Sequence, residues 1–230
     1  QVDISKSVIS GITLPIKRRG DVPVTYSIPE VRRKPQISLK PLAGQKPEPT
    51  LAEDEYESIL TIIRDMSVAM ERSPSTFSKL KEPEIRDFFL ILLNGHYQGM
   101  ATGETFNGVG KTDILIRYQN ANAFIGECKF WKGKKELTET IDQLFGYVTW
   151  RDTKTAIIVF HKGENLSSVL KQIDTIFQEH PSYKSKHLLQ STVLKSDQAV
   201  FSYKLTHPSD TGKEVIVSVM AYQVSTPEIK

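Results

Sequence analysis

The sequence predicts an α/β domain with a mixed central β-sheet flanked by helices, preceded by an extended N-terminal appendage. Several segments place apolar residues at helical spacing. The continuous apolar run from Thr155 to Phe160 is typical of a central strand buried on both faces. Two further strand-like segments, Ala199–Thr206 and Glu214–Val224, favour an antiparallel pair near the end of the chain. A length of 230 residues fits one sizeable domain plus an appendage.

The first 50 residues differ in composition from the rest. Short extended pieces are separated by Pro, Gly and charged residues, and the stretch from Lys34 to Pro49 is typical of a linker. Residues 1–50 hold nine Lys and Arg against four Asp and Glu, whereas the other 180 hold 21 against 23. This excess of positive charge fits an arm that binds phosphates, and equally a solvated linker or the edge of an upstream domain. We therefore expect an appendage over residues 1–50 and a domain over 51–230.

Two helices are expected before the sheet. The first spans Glu53–Arg72 and ends at Ser73-Pro74. The second begins near Pro83, because proline suits the first helical position. Its apolar stripe is formed by Ile85, Phe88, Phe89, Leu92 and Leu93.

Two strands then bring unusual side chains together. One begins at Asp113, and the next covers Phe124–Trp131 after a short polar connection that favours a hairpin. Alternation along a strand places Glu127 and Lys129 side by side on one face. A hairpin would bring Asp113 within reach of either residue across the ladder.

These residue types suit a metal-dependent hydrolase. Two carboxylates and a lysine in apolar strands are costly to bury, so a bound ion would explain their presence. Hard oxygen ligands favour Mg²⁺ or Mn²⁺, which can activate water and relieve charge on a phosphodiester. A cross-strand ion pair on an exposed face is the alternative, but the apolar neighbours Phe124, Ile125, Phe130 and Trp131 disfavour it.

The chain continues with a helix and a strand behind this pair. The helix is predicted from about Leu137 to Trp150, and Gln143 and Tyr147 lie four residues apart on one flank. After the buried strand, a further helix is predicted over Leu166–Phe177.

The arrangement resembles the PD-(D/E)xK, or restriction-endonuclease-like, nuclease superfamily over about residues 82 to 160. The resemblance implies that fold and a metal centre in which Asp113, Glu127 and the backbone carbonyl of Cys128 bind Mg²⁺ or Mn²⁺. It implies that Lys129 serves the attacking water.

The helix after the Glu-x-Lys strand extends this resemblance. Gln143 and Tyr147 are similar to the Gln-x-x-x-Tyr motif of RecB-type and some Mrr-type members, which positions metal, water or nucleic-acid backbone. The chain departs from the family pattern at Thr112, where the nominal motif has proline, a residue that is not a ligand.

The family also carries a glutamate on an early helix. Glu84 is the first candidate for that metal ligand, Asp87 the second, and Glu104 a third acid near the site. Each of the two helical acids could instead complement the helix dipole, and Glu104 could cap the approach to the Asp113 strand. Nucleic-acid phosphates could be met by lysines that equally suit a solvated loop: Lys111, Lys132, Lys134 and Lys135.

The resemblance implies a nuclease that favours DNA over RNA. A role in prokaryotic defence, restriction or repair is expected, with a sensing or targeting domain or subunit as partner, and a homodimer is possible. The alternatives are a catalytically idle nucleic-acid-binding or scaffolding domain, or an RNA nuclease. One cysteine suits a reducing cytoplasm, and no stretch approaches the ~20 apolar residues of a membrane span. Because the chain begins with Gln1, we expect a fragment or a processed form.

Overall fold

Strands and helices alternate along the chain, and most strands join one mixed sheet. The computed structural model describes residues 37–40, 48–97, 101–103, 105–107, 110–118, 121–149 and 151–224. The strands are β1 (Ile37–Lys40), β2 (Glu48–Leu51), β3 (Ala101–Thr102), β4 (Thr105–Asn107), β5 (Gly110–Thr112), β6 (Ile114–Tyr118), β7 (Ala121–Phe130), β8 (Lys154–His161), β9 (Tyr183–Lys186), β10 (Val200–His207) and β11 (Asp210–Gln223). The helices are α1 (Glu53–Arg72), α2 (Pro74–Phe77), α3 (Glu82–His96), α4 (Lys134–Tyr147), α5 (Leu166–Glu179) and α6 (Thr192–Ser196).

The central sheet has seven strands in the order β3-β6-β7-β8-β11-β10-β9. Strands β3, β6 and β7 are antiparallel neighbours, β7, β8 and β11 run parallel, and β10 and β9 continue antiparallel. A parallel neighbour requires a crossover, which α4 provides between β7 and β8. The sheet is therefore mixed, and the fold class predicted from the sequence is confirmed at this level.

Each face of the sheet is covered by helices. One core contains the buried stripes of α1 and α3, including Ile59, Ile63 and Phe89. The other contains those of α4 and α5, including Ile141 and Ile173. Strand β8 contributes to both cores because its side chains alternate between the two faces and almost all are buried.

Several element boundaries differ from prediction. Helix α1 lies where the sequence predicts it, and β10 and β11 form the predicted antiparallel pair, but β11 begins at Asp210, four residues before the predicted start at Glu214. Helix α4, predicted from Leu137 to Trp150, is Lys134–Tyr147 instead. It begins after Gly133, whose φ of 110° breaks the extended chain and suits glycine.

The predicted linker is also partly structured. Within Lys34–Pro49, strand β1 pairs antiparallel with β2, which begins at Glu48. Residues 1–36 and 41–47, including the basic clusters of the predicted appendage, lie outside the described residues, as does Glu104. In the described part of the chain, no helix is long and apolar enough to cross a membrane.

Candidate metal centre

The Asp113 and Glu127 carboxylates converge where β6 begins beside β7. Ile114, the first residue of β6, pairs with Gly126, so Asp113 lies opposite Glu127. The Asp113 amide donates to Glu127 Oε1 over 3.2 Å. In return, the Cys128 amide donates to Asp113 Oδ2 over 2.9 Å. The structure thus brings these two predicted acids to one place.

Glu127 is a buried acid. Its side chain is 3% exposed. Burial, followed by the negative charge of Asp113, raises the pKa of Glu127 to about 8. Three contacts act against this shift, namely those with Lys129, the Asp113 amide and the Thr112 side chain. The site therefore disfavours the ionised form of Glu127 beside Asp113, and a cation would stabilise that form.

Lys129 stands beside Glu127 on the same strand. Lys129 Nζ lies 4.0 Å from Glu127 Oε2, and its side chain is 26% exposed. The ammonium group is therefore close to the buried carboxylate and still reachable from solvent. This placement follows from the two-residue repeat of the strand, which puts both side chains on one face.

Strand β7 continues past the start of β6, and two carboxylates accept hydrogen bonds from its backbone there. In the described ladder, β6 offers no residue to pair with residues 127–130. The Cys128 amide is bound by Asp113, and the Phe130 amide donates to Glu82 Oε1 over 2.8 Å. Since the N–H and C=O of a strand residue point to the same side, the Cys128 carbonyl lies on this edge too. The Cys128 side chain faces the opposite core and is fully buried.

The helical acid that reaches this edge is Glu82, not the predicted Glu84. Glu84 is exposed, and its Oε2 accepts a hydrogen bond from the Lys81 amide over 2.7 Å in a capping box. The runner-up Asp87 is also exposed and contacts Arg86 over 3.0 Å. The sequence did contain a signal for Glu82: it lies three residues before Ile85 and seven before Phe89, so it shares their buried face.

Arg86 is a second residue that sequence reasoning missed. Its side chain is only 11% exposed, and Nη1 lies 3.8 Å from Asp113 Oδ1. Arg86 also lies four residues after Glu82, on the same helical face. Space here is tight, because a Cβ on Gly103 would lie 2.7 Å from Leu90 Cδ1 and 3.3 Å from the Asp113 carbonyl oxygen.

Tyr147, the last residue of α4, is affected electrostatically by the carboxylates. Burial raises the pKa of Tyr147, and the charge of Glu127 raises it further. The Tyr147 hydroxyl therefore lies within the electrostatic influence of the acidic pair. Gln143, one turn earlier on the same flank, has an exposed side chain.

The lysines predicted to meet phosphates lie on the surface and have acidic neighbours. Lys132 contacts Glu136 over 2.8 Å, Lys134 contacts Glu179 over 2.6 Å, and Lys135 lies 3.8 Å from Glu139. Lys111 is exposed and lies in β5, two residues before Asp113. Exposed ion pairs of this kind are weak, typically about 0–1 kcal/mol, so such lysines can exchange a carboxylate for a phosphate.

The donor set at this site fits a hard divalent ion. Among the residues that the structure describes, no group of three or more His, Cys, Asp or Glu side chains is placed to hold a metal ion. Two carboxylates and one carbonyl are too few for a closed zinc site, which needs four protein ligands. They suit Mg²⁺, which is usually bound by one or two carboxylates and keeps several waters.

Comparison of the chain with protein families, curated proteins and solved structures found no match.

Proposed function

We propose that this protein is a metal-dependent nuclease with a restriction-endonuclease-like fold. The observation that carries the proposal is the convergence of Asp113 and Glu127, in which the Asp113 amide donates to Glu127 and the Cys128 amide donates to Asp113. The order of elements supports it: a helix with an acid, a strand preceded by aspartate, a Glu-x-Lys strand, and a helix with Gln143 and Tyr147. This is the order that the resemblance to PD-(D/E)xK nucleases implies.

Asp113, Glu127 and the Cys128 carbonyl would hold Mg²⁺ or Mn²⁺. When bound, such an ion supplies positive charge at the attacked phosphate and favours deprotonation of water. Glu127 has to give up its proton to act as a ligand. Burial makes the ionised form of Glu127 costly, so a cation at this position replaces the solvation that water cannot provide.

The surrounding side chains act on water and phosphate. Lys129 is close enough to Glu127 to orient the attacking water between them, and its exposure lets it contact a phosphate oxygen. The water loses a proton to solvent as its oxygen forms a bond to phosphorus, the bond from phosphorus to one sugar oxygen breaks, and the departing oxygen takes a proton from solvent. Tyr147 lies within electrostatic range of the acidic pair and would position water or nucleic-acid backbone there.

DNA is the proposed substrate, because of the resemblance to DNA nucleases. The same resemblance supports an effector role in prokaryotic defence, restriction or repair, with a sensing or targeting partner and a cytoplasmic location. The exposed lysines around the start of α4 would contact the phosphate backbone of either nucleic acid.

The test is a cleavage assay with plasmid, single-stranded DNA and RNA, each with Mn²⁺ and with EDTA. We expect DNA to be cut only with the metal. Asp113→Asn, Glu127→Gln and Lys129→Met should each lower the rate by about 100-fold or more, because each removes a group that acts on the metal or water. Gln143→Ala should lower it less, because its side chain is exposed.

Asp65→Asn, an exposed acid on α1, provides the matched control and should cut at the wild-type rate. Circular dichroism verifies that each variant is folded. Full activity in Asp113→Asn or Glu127→Gln would contradict the proposal. Binding of DNA without cleavage would support a catalytically idle nucleic-acid-binding domain instead. Cleavage of RNA alone would mean that the protein is an RNA nuclease.

A further inference from the structure

Thr112 has a buried hydroxyl directly before the first carboxylate of the site. The residue is fully buried at the end of β5. Its Oγ1 donates towards two backbone carbonyls, the Ile114 carbonyl over 3.1 Å and the Gly126 carbonyl over 3.2 Å. A hydroxyl has one proton, so these two carbonyls share it with the Glu127 carboxylate, which the Thr112 side chain also contacts.

The two carbonyls flank the two acids. Ile114 follows Asp113, and Gly126 precedes Glu127. Asp113 lies at the bend between β5 and β6, outside the regular ladder. The Thr112 hydroxyl therefore joins the bend that carries Asp113 to the peptide that carries Glu127.

Other contacts at this bend depend on the carboxylates themselves. The Asp113 amide contacts Glu127 Oε1, and the Cys128 amide contacts Asp113 Oδ2. A metal ion would draw charge from both carboxylates and weaken these contacts. Two of the Thr112 contacts run to backbone oxygens and so do not depend on the charge of the carboxylates, unlike its contact with the Glu127 side chain.

We propose that Thr112 is a positioning residue that sets the separation of Asp113 and Glu127 for metal binding. The inference rests on the proposed metal-dependent function and deepens it. The proline that the family pattern has at this position could not act in this way, because it has no hydroxyl. Groups that orient metal ligands typically change metal affinity by about 10–100-fold when removed.

The experiment measures Mn²⁺ affinity at one fixed pH by calorimetry and electron paramagnetic resonance. Thr112→Val keeps the shape of the side chain and removes the hydroxyl. We expect its Mn²⁺ affinity to fall by about tenfold or more, and Thr112→Ser to bind within about threefold of wild type. The KM for plasmid at saturating Mn²⁺ should stay near the wild-type value, because Thr112 does not face the substrate.

Thr155→Val is the matched control. Thr155 is also fully buried on a strand, and its hydroxyl donates over 2.9 Å to the carbonyl of Ile216 on β11, the strand on the other side of β8 from β7. It should bind Mn²⁺ as wild type does, even if both valine variants are less stable. An equal loss of affinity in Thr155→Val would overturn the inference, because the effect would then follow from stability alone.

The outcomes separate the two proposals. Wild-type affinity in Thr112→Val would overturn the role of Thr112 and leave the metal centre standing. Absence of Mn²⁺ binding by the wild type would overturn the metal centre and the inference with it. If Thr112→Val does not fold, Thr112→Ser and Thr112→Ala repeat the comparison, since they differ only in the hydroxyl. Equal affinity in that pair would also overturn the inference.

Discussion

Glu127 is held where water has little access to it, and this has thermodynamic consequences. Its pKa is raised to about 8, chiefly by burial and then by the charge of Asp113. At neutral pH the acid therefore tends to keep its proton while no cation is bound. Binding of a divalent ion would displace that proton, so affinity for the ion should increase as the pH rises towards 8.

The same shift makes the stability of the metal-free protein depend on pH. The folded-state pKa of Glu127 lies above its ordinary value of 4.5, so the folded state binds the proton more tightly than the unfolded state does. Its stabilising contribution is complete below pH 4.5 and is lost as the pH rises through about 8. Glu127→Gln, which cannot ionise, should lack this loss. In EDTA, the free energy of unfolding of wild type minus variant should fall by a few kcal/mol between pH 5 and 9.

Urea unfolding of both proteins across that range measures the difference. Titrating groups that do not interact with Glu127 cancel, because they are common to both chains and have the same surroundings in each. Glu84→Gln serves as the control, since Glu84 is exposed and should give a small difference that varies little with pH. A wild-type minus Glu127→Gln difference that stays constant from pH 5 to 9 would contradict the burial argument.

Residue placement could be predicted from the sequence where short-range geometry decides it. Strand alternation places Glu127 beside Lys129. The short connection between β6 and β7 forms a hairpin, which brings Asp113 opposite Glu127. Arg86 could not be predicted as a neighbour of Asp113, because that contact depends on how α3 packs against the sheet. Glu82 could have been found from its spacing to Ile85 and Phe89.

At the scale of elements, apolar periodicity predicts the middle of a helix better than its ends. Helix α1 has apolar residues throughout, and its predicted bounds agree with the structure. The first turn of α4 is Lys134-Lys135-Glu136, which has no apolar residue, so its start was predicted three residues late. The β1–β2 pair was missed because Pro and charged residues conceal its strand pattern.

Helix α3 offers a prediction that separates its two first-turn acids. Glu82 binds the Phe130 amide on the free edge of β7, whereas Glu84 binds the Lys81 amide within its own helix cap. Glu82→Ala should therefore disturb the end of the Glu-x-Lys strand and lower cleavage by about 10–100-fold. Glu84→Ala should keep wild-type activity and lose about 0.5–2 kcal/mol of stability with the cap.

Cleavage rates and urea unfolding of the two alanine variants test this directly. Because the acids lie two residues apart on one helix, each variant is the control for the other. Equal loss of activity in both, or a larger loss in Glu84→Ala, would contradict the role of Glu82 and favour Glu84, the first candidate from the sequence.

At the scale of the whole molecule, the order of the sheet depends on pairings distant in sequence. Strand β11 enters between β8 and β10, and its parallel pairing with β8 joins residues such as Ile216 and Lys154. Local patterns do not specify such a partner, so the sequence predicted a mixed sheet without its strand order. The proposed catalytic residues depend on β6, β7 and α4, which are local in sequence, and this is why they could be predicted while the sheet order could not.

Charge over the whole molecule is nearly balanced, with a formal net charge of +3. Overall attraction to nucleic acid is therefore small, and binding should depend on which lysines exchange their acidic neighbours for phosphates. Lys132, two residues beyond the Glu-x-Lys strand, contacts Glu136 over 2.8 Å. Lys184 forms a comparable exposed pair with Glu214, and its strand β9 lies at the sheet edge farthest from β3.

These two pairs give the last prediction. Lys132→Ala should weaken DNA binding and lower the slope of log affinity against log salt by about 0.9, the value of one phosphate contact. Glu136→Gln should strengthen binding, because it releases Lys132 from its carboxylate. Lys184→Ala should change neither quantity. Fluorescence anisotropy with Ca²⁺ in place of Mg²⁺, at several salt concentrations, measures all three variants. Equal effects of Lys132→Ala and Lys184→Ala would mean that DNA responds to total charge and not to the surface beside the Glu-x-Lys strand.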